Sequence, residues 1–245
     1  MASRADAADA EAAATQRFDD LRRELVTTVS HELRTPLTLI QGLVDTLAAR
    51  WDRPSEGERM DLGDDLALNV ASLDASVLHF IDAARVARGE VMVEHEWVEL
   101  APLVRRVQSK LESALGGRNV QVNLVAERAW GDPEAVARIV ELLLANAARF
   151  SPLGSGITVG SRERPGVTLI SVTDQGQGIP QKHLVKVFEP FWRADVSETG
   201  VSRGAGLGLY IVKELAERQG GTVRVTSTQG RGSTFSVELP HPPTP

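Results

Sequence analysis

Cysteine is absent from the 245 residues. That excludes disulfides, thiolate metal sites and a thiol nucleophile, and fits a reducing compartment. Basic runs are missing too: 27 Lys and Arg against 33 Asp and Glu give a net charge of -6. Duplex nucleic acid or an anionic membrane surface is therefore not the expected main partner. No stretch approaches the roughly 18 to 20 apolar residues that cross a bilayer, and the N-terminus is rich in Ala and Asp instead of basic then apolar. A soluble chain without a membrane segment of its own is expected.

What is present suggests two cores, because 245 residues at 42% hydrophobic content exceed the size of one modest domain. From Phe18 onward apolar residues fall at Leu21, Leu25, Val29, Leu33, Pro36 or Leu37, Ile40, Leu43 and Leu47, the stripe of one long helix. Residues 1–17 read as an extension of that helix or as a solvated tail. Pro54 and Gly57 break the pattern, and a second stripe follows at Leu66, Val70, Leu73, Val77, Phe80 and Ala84. Two such helices make an antiparallel hairpin whose apolar seam is left open. A second copy would close a four-helix bundle, so a homodimer is expected.

The texture changes near residue 90. Runs at 120–125, 167–172, 222–227 and 233–239 alternate as strands do, with helical stretches at about 101–116, 133–149 and 207–219. The fold class predicted is α+β: a helical hairpin over 18–90, then an α/β sandwich over 91–240. Residues 241–245, rich in proline, read as a disordered tail.

The first helix carries Ser30-His31-Glu32-Leu33-Arg34-Thr35-Pro36-Leu37. His31 lies off the apolar stripe, so its imidazole is expected to face solvent and stay mostly neutral near pH 7, given an ordinary pKa of about 6.5. A neutral ring keeps a nucleophilic nitrogen, and Glu32 beside it can accept the other ring N–H. Thr35, one turn beyond His31, reaches the same surface. Pro36 removes a helical hydrogen bond and offers a point of bending.

In the second region Asp132-Pro133 is a helix start, and the far end of that helix carries Asn146 and Arg149. An amide oxygen at Asn146 suits Mg²⁺, and Arg149 can reach a phosphate. The strand ending at Val172 runs into Asp174-Gln-Gly176-Gln-Gly178-Ile-Pro180, where a carboxylate can accept the exocyclic amine of adenine and the glycines permit close backbone approach. Phe188 opens an aromatic cluster, and the polar stretch from Ala194 to Arg203 reads as a mobile lid. Gly204-Ala-Gly206-Leu-Gly208 then precedes an amphipathic helix, a combination suited to holding phosphate. Neither the dinucleotide fingerprint nor the Walker A pattern is met.

In this order the segments resemble the H, N, G1, F and G2 boxes of two-component sensor histidine kinases over roughly residues 18–240. The resemblance implies that ATP and Mg²⁺ are used, that His31 is the phosphoacceptor and Glu32 its base, and that Thr35 serves a phosphatase reaction. It further implies Asn146 as magnesium ligand, Asp174 as adenine contact, and Gly176, Gly178, Gly204, Gly206 and Gly208 as shaping the pocket. A response regulator receiver domain is the implied partner, and the cytoplasm, or the cytoplasmic part of a membrane sensor, the implied location. One departure stands out: Leu142 occupies the position, four residues before Asn146, where the family usually has a second Asn. Glu141 beside it is rotated about 100° away on a helix. Leu142 favours a second reading, a catalytically weak nucleotide-binding dimer acting as phosphatase or docking module. A gyrase- or chaperone-type ATPase shares the nucleotide pocket but lacks the His31 helix. Gln219 is a milder departure, standing where the family often shows His.

Overall fold

The computed structural model describes residues 27–30, 32–49, 55–193 and 205–242. His31, Gly204, the segment 1–17, the whole of the expected 194–203 lid and the end of the tail lie outside the described residues. The chain divides into two compact units, Met1–Arg88 and Gly89–Pro245.

The first unit is helical. Helix α1 covers 27–30 and 32–49 and continues through Pro36, and α2 spans Glu56–Ala87. Ser55 starts α2 with a capping box: its Oγ accepts from the Glu58 backbone N–H, and Glu58 Oε2 accepts from the Ser55 N–H at 2.7 Å. Both helices expose apolar side chains, among them Leu37, Leu39 and Val44 on α1 and Leu68, Val70, Val77 and Ile81 on α2. The sequence reading found no apolar stretch long enough for a bilayer, yet Gly57–Ala87 meets the length and composition of a span. Asp74 and Asp82 interrupt its apolar part.

The second unit holds a five-stranded sheet in the order β2 (Asn119–Leu124), β4 (Gly156–Arg164), β5 (Val167–Asp174), β7 (Gly232–Pro240), β6 (Thr222–Thr228). All pairs are antiparallel except β2 with β4. A parallel pair needs a crossover, and α5 (Pro133–Phe150) supplies it. A two-stranded sheet joins β1 (Glu96–Glu99) to β3 (Arg128–Gly131). Helices α3 (Leu100–Lys110) and α4 (Glu112–Leu115) precede β2, and α6 (Gly208–Arg218) precedes β6.

Helix α5 packs on β4 and β5, α6 packs on β6 and β7, and the two helices touch each other. The core lies in that layer, where Ile139, Leu143 and Leu144 of α5 and Ile211 of α6 meet Ile157, Ile170 and Leu239 of the sheet. Residues two apart on a strand share a face, so Asp174 lies on the row of Ile170 and Val172. A carboxylate thus ends a hydrophobic row, under the helices.

Candidate nucleotide site and phosphoacceptor helix

Helix α5 begins as Asp132-Pro133 suggests: Asp132 Oδ1 accepts from the Ala135 N–H at 2.8 Å, and Pro133 takes the position whose N–H has no helical partner. Three residues near its other end, four apart and so on one face, organise the site. Leu142 is 4% exposed, and its Cδ2 lies 3.9 Å from where a β-carbon on Gly208 would stand. Phe150 directs its backbone carbonyl against Gly176, leaving no room for a side chain there. Asn146, half-buried, falls between them. Its position on the helix therefore lies between the contact with the start of α6 and the contact with the turn that follows β5.

At that turn Asp174 is 5% exposed, and its Oδ1 accepts from the Gly176 N–H at 2.8 Å. Burial pushes its carboxyl above the usual aspartate range, opposed by backbone hydrogen bonds from Gly176 and Ser233. An ionised oxygen held in a dry site is a strong acceptor for an amine of fixed geometry. The sequence reading gave Gly176 and Gly178 to close approach of a ring. The structure gives both a task inside the protein as well: Gly178 has φ +67°, and a β-carbon there would strike the Thr228 carbonyl.

Gly206, at φ +69°, lies against the backbone of Phe191 and Trp192, with a would-be β-carbon 2.7 Å from the Trp192 oxygen. The chain therefore returns at residue 206 to the place it left at residue 192. Phe191 itself takes φ +60°, a strained choice for an aromatic residue. Phe188 stands edge-on to buried Phe235 with ring centres 6.3 Å apart, which fixes this aromatic turn to β7. Gly208 begins α6 half-buried, at ordinary contact distance from Leu142, and the first-turn N–H groups have no acceptor within the helix. Arg149 is exposed, with its guanidinium 5.6 Å from the Phe150 ring centre.

Glu141 faces elsewhere: Arg138 NH1 is 2.9 Å from its carboxylate, and Lys110 Nζ of α3 is also within 2.9 Å. The expectation that it points away from the site agrees with this pairing. In the first unit Glu32 is half-buried and Thr35 exposed on α1. Among the described residues no group of three or more His, Cys, Asp or Glu could hold a metal. An amide oxygen such as that of Asn146 could hold a cation together with a ligand's own oxygens.

These two units define a class: a pair of helices with exposed apolar side chains, followed by an α/β sandwich. The family model described as "Histidine kinase-, DNA gyrase B-, and HSP90-like ATPase" matches residues 131–243, and "His Kinase A (phospho-acceptor) domain" matches residues 21–84. The second match separates the chain from gyrase- and chaperone-type ATPases. A mycobacterial sensor histidine kinase, MprB, is similar over 62% of this chain and 100% of its own, with 31% identity and a TM-score of 0.54. The sensor protein SrrB of Staphylococcus aureus is 30% identical over 232 residues, 92% of this chain and 39% of SrrB. The fold is shared with the histidine kinase ThkA, solved in complex with a response regulator protein, TrrA: TM-score 0.70 over 96% of this chain and 66% of that one, at 21% identity. The chain belongs to the sensor histidine kinases of two-component systems, and it spans well under half the length of the curated relatives it matches.

Proposed function

We propose that the chain binds Mg²⁺·ATP in the α/β unit and transfers the γ-phosphoryl group to a ring nitrogen of His31. The phosphoryl group then passes to an aspartate on a response regulator receiver domain. One observation carries the nucleotide reading: the last half of α5 abuts Gly208 through Leu142 and Gly176 through Phe150, with Asn146 between. This supports a reading with a phosphate-binding helix start on one side of Asn146 and a buried adenine acceptor on the other.

In this reading Asp174 accepts the adenine amine, and guanine, which presents a carbonyl there, is refused. The first-turn N–H groups of α6 and the positive end of its dipole receive phosphate oxygens. Asn146 would hold magnesium together with those oxygens, and the ion would neutralise phosphate charge as bonds to phosphorus loosen. Glu32 accepts the other ring N–H of His31, orienting the ring and drawing off its proton as the free nitrogen bonds phosphorus and the bond to the departing ADP breaks, a role worth about 10² to 10⁴ in rate. The exposed apolar side chains of α1 and α2 support a homodimer in which a second copy closes the bundle, and we read α2 as a bundle helix, not a span.

Incubation with γ-labelled ATP and Mg²⁺ tests the proposal. Label that is acid-labile and alkali-stable is expected on the wild type and absent from His31→Gln, which still binds nucleotide. Label persisting on that variant would reject His31 as acceptor.

The second reading, a kinase too slow to matter whose surface around Thr35 hydrolyses a regulator's aspartyl phosphate, is favoured by one observation. Leu142 is buried and apolar where a polar group would order water or phosphate, and Glu141 is committed to Arg138 and Lys110. Exchange at Leu142 separates the two readings.

A further inference from the structure

Gln219 follows α6 and is 2% exposed, an unusual depth for an amide. Its Oε1 accepts from the Asp132 backbone N–H at 2.9 Å, and its Nε2 donates to the Leu215 carbonyl at 3.1 Å. Gly131 leaves space for this: a β-carbon there would collide with Gln219 Oε1. Asp132 meanwhile caps α5 with one carboxylate oxygen and accepts from the Glu94 N–H with the other at 3.0 Å. The Gln219 carbonyl lies 3.4 Å from His95 Nε2, and the His95 ring stacks on Trp130. One buried side chain thus joins the end of α6 to the N-cap of α5.

The two helices run antiparallel, since α6 starts beside Leu142 and ends beside Asp132. Eleven residues of α6 extend about 16 Å and the ten steps from Asp132 to Leu142 about 15 Å, so the two contacts match in spacing. Between them the helices meet through side chains such as Leu143, Ile211 and Leu215. Apolar packing of this kind has no direction and tolerates sliding along the helix axes. A directional bond at one end does not.

We propose that Gln219 is a positioning residue of the phosphate end of the site: it fixes α6 lengthwise on α5 and so sets where the Gly208 end of α6 stands relative to Asn146. The inference rests on the nucleotide reading above and adds to it. The adenine contact is on β5 and owes nothing to this bond. Loss of the Gln219 amide therefore weakens ligands that bridge Asn146 and α6 and spares those held by Asp174 alone.

The experiment compares dissociation constants of the whole chain for Mg²⁺·AMPPNP and for adenosine without metal. Partial unfolding scales both constants equally, so their ratio reports position and not stability. Gln219→Met is expected to weaken Mg²⁺·AMPPNP about fivefold, the scale of one net hydrogen bond, with adenosine changed by less than about twofold. Gln219→His, which keeps a ring nitrogen able to accept from Asp132, restores the ratio. Gly131→Ala, which displaces the amide without removing it, reproduces the loss, and combining it with Gln219→Met adds nothing further. Equal loss for both ligands, or no loss, overturns the positioning role. A wild-type chain that binds neither ligand overturns the nucleotide reading itself, and the positioning role with it.

Discussion

Asp174→Asn makes the adenine assignment testable because the structure requires stability and binding to move in opposite directions. The wild-type carboxylate is 5% exposed, and burial raises its pKa against two backbone hydrogen bonds. A carboxyl whose folded pKa lies above its unfolded value stabilises the fold fully below the unfolded pKa, here 3.8, and loses that contribution as pH rises through the folded pKa. At neutral pH the folded chain therefore bears the cost of a buried charge. Asparagine removes that cost while its carbonyl still accepts from the Gly176 N–H, now 2.8 Å from Asp174 Oδ1. The melting temperature of the empty protein is expected to hold or rise. Adenosine and ADP affinity should fall by about 1.5–3 kcal/mol, roughly 10- to 150-fold, the scale for a hydrogen bond to a charged acceptor. Calorimetric titration and thermal melting on the same samples give both numbers. Wild-type adenosine binding should also weaken with acidification at a pH above 3.8, as the raised carboxyl takes up its proton. Unaltered affinity in the variant, or affinity and melting temperature falling together, would refute the reasoning.

Leu142→Asn puts an amide on the face of α5 that meets Gly208; a loss of about 1–3 kcal/mol in the empty protein is expected from burying it, with faster label transfer to His31. An unchanged rate would show that the missing polar group is compensated elsewhere. Val77→Glu places charge on the exposed apolar face of α2 and should shift the chain from dimer to monomer by light scattering while adenosine binding in the other unit is kept. A dimer that survives the change would remove that face from the interface.

The candidate site could be proposed from sequence because its residues fall in short contiguous runs, 30–37, 174–180 and 204–208. Helices α5 and α6 were legible from period, caps and glycines. Strands β1 and β3 were not read, since four residues carry too little alternation, and their pairing joins segments some thirty positions apart. Strand β4 hid for another reason. Its inward row is Ile157, Val159 and then Ser161, a serine 4% exposed that donates to the Ala126 carbonyl. A polar residue satisfied by a distant carbonyl breaks the hydrophobic pattern without leaving the core. Gln219 stood out only as a departure from the family pattern, because its burial depends on Asp132 and Gly131 being brought to it by the fold.

The meeting of Gly206 with Phe191 and Trp192 has an evolutionary corollary. A chain that exits and re-enters through one collar can gain or lose residues in between without disturbing β5 or α6, because both posts of the gate are set by the protein beneath. The number of residues between those posts can thus differ from one chain of this fold to another on an unchanged foundation.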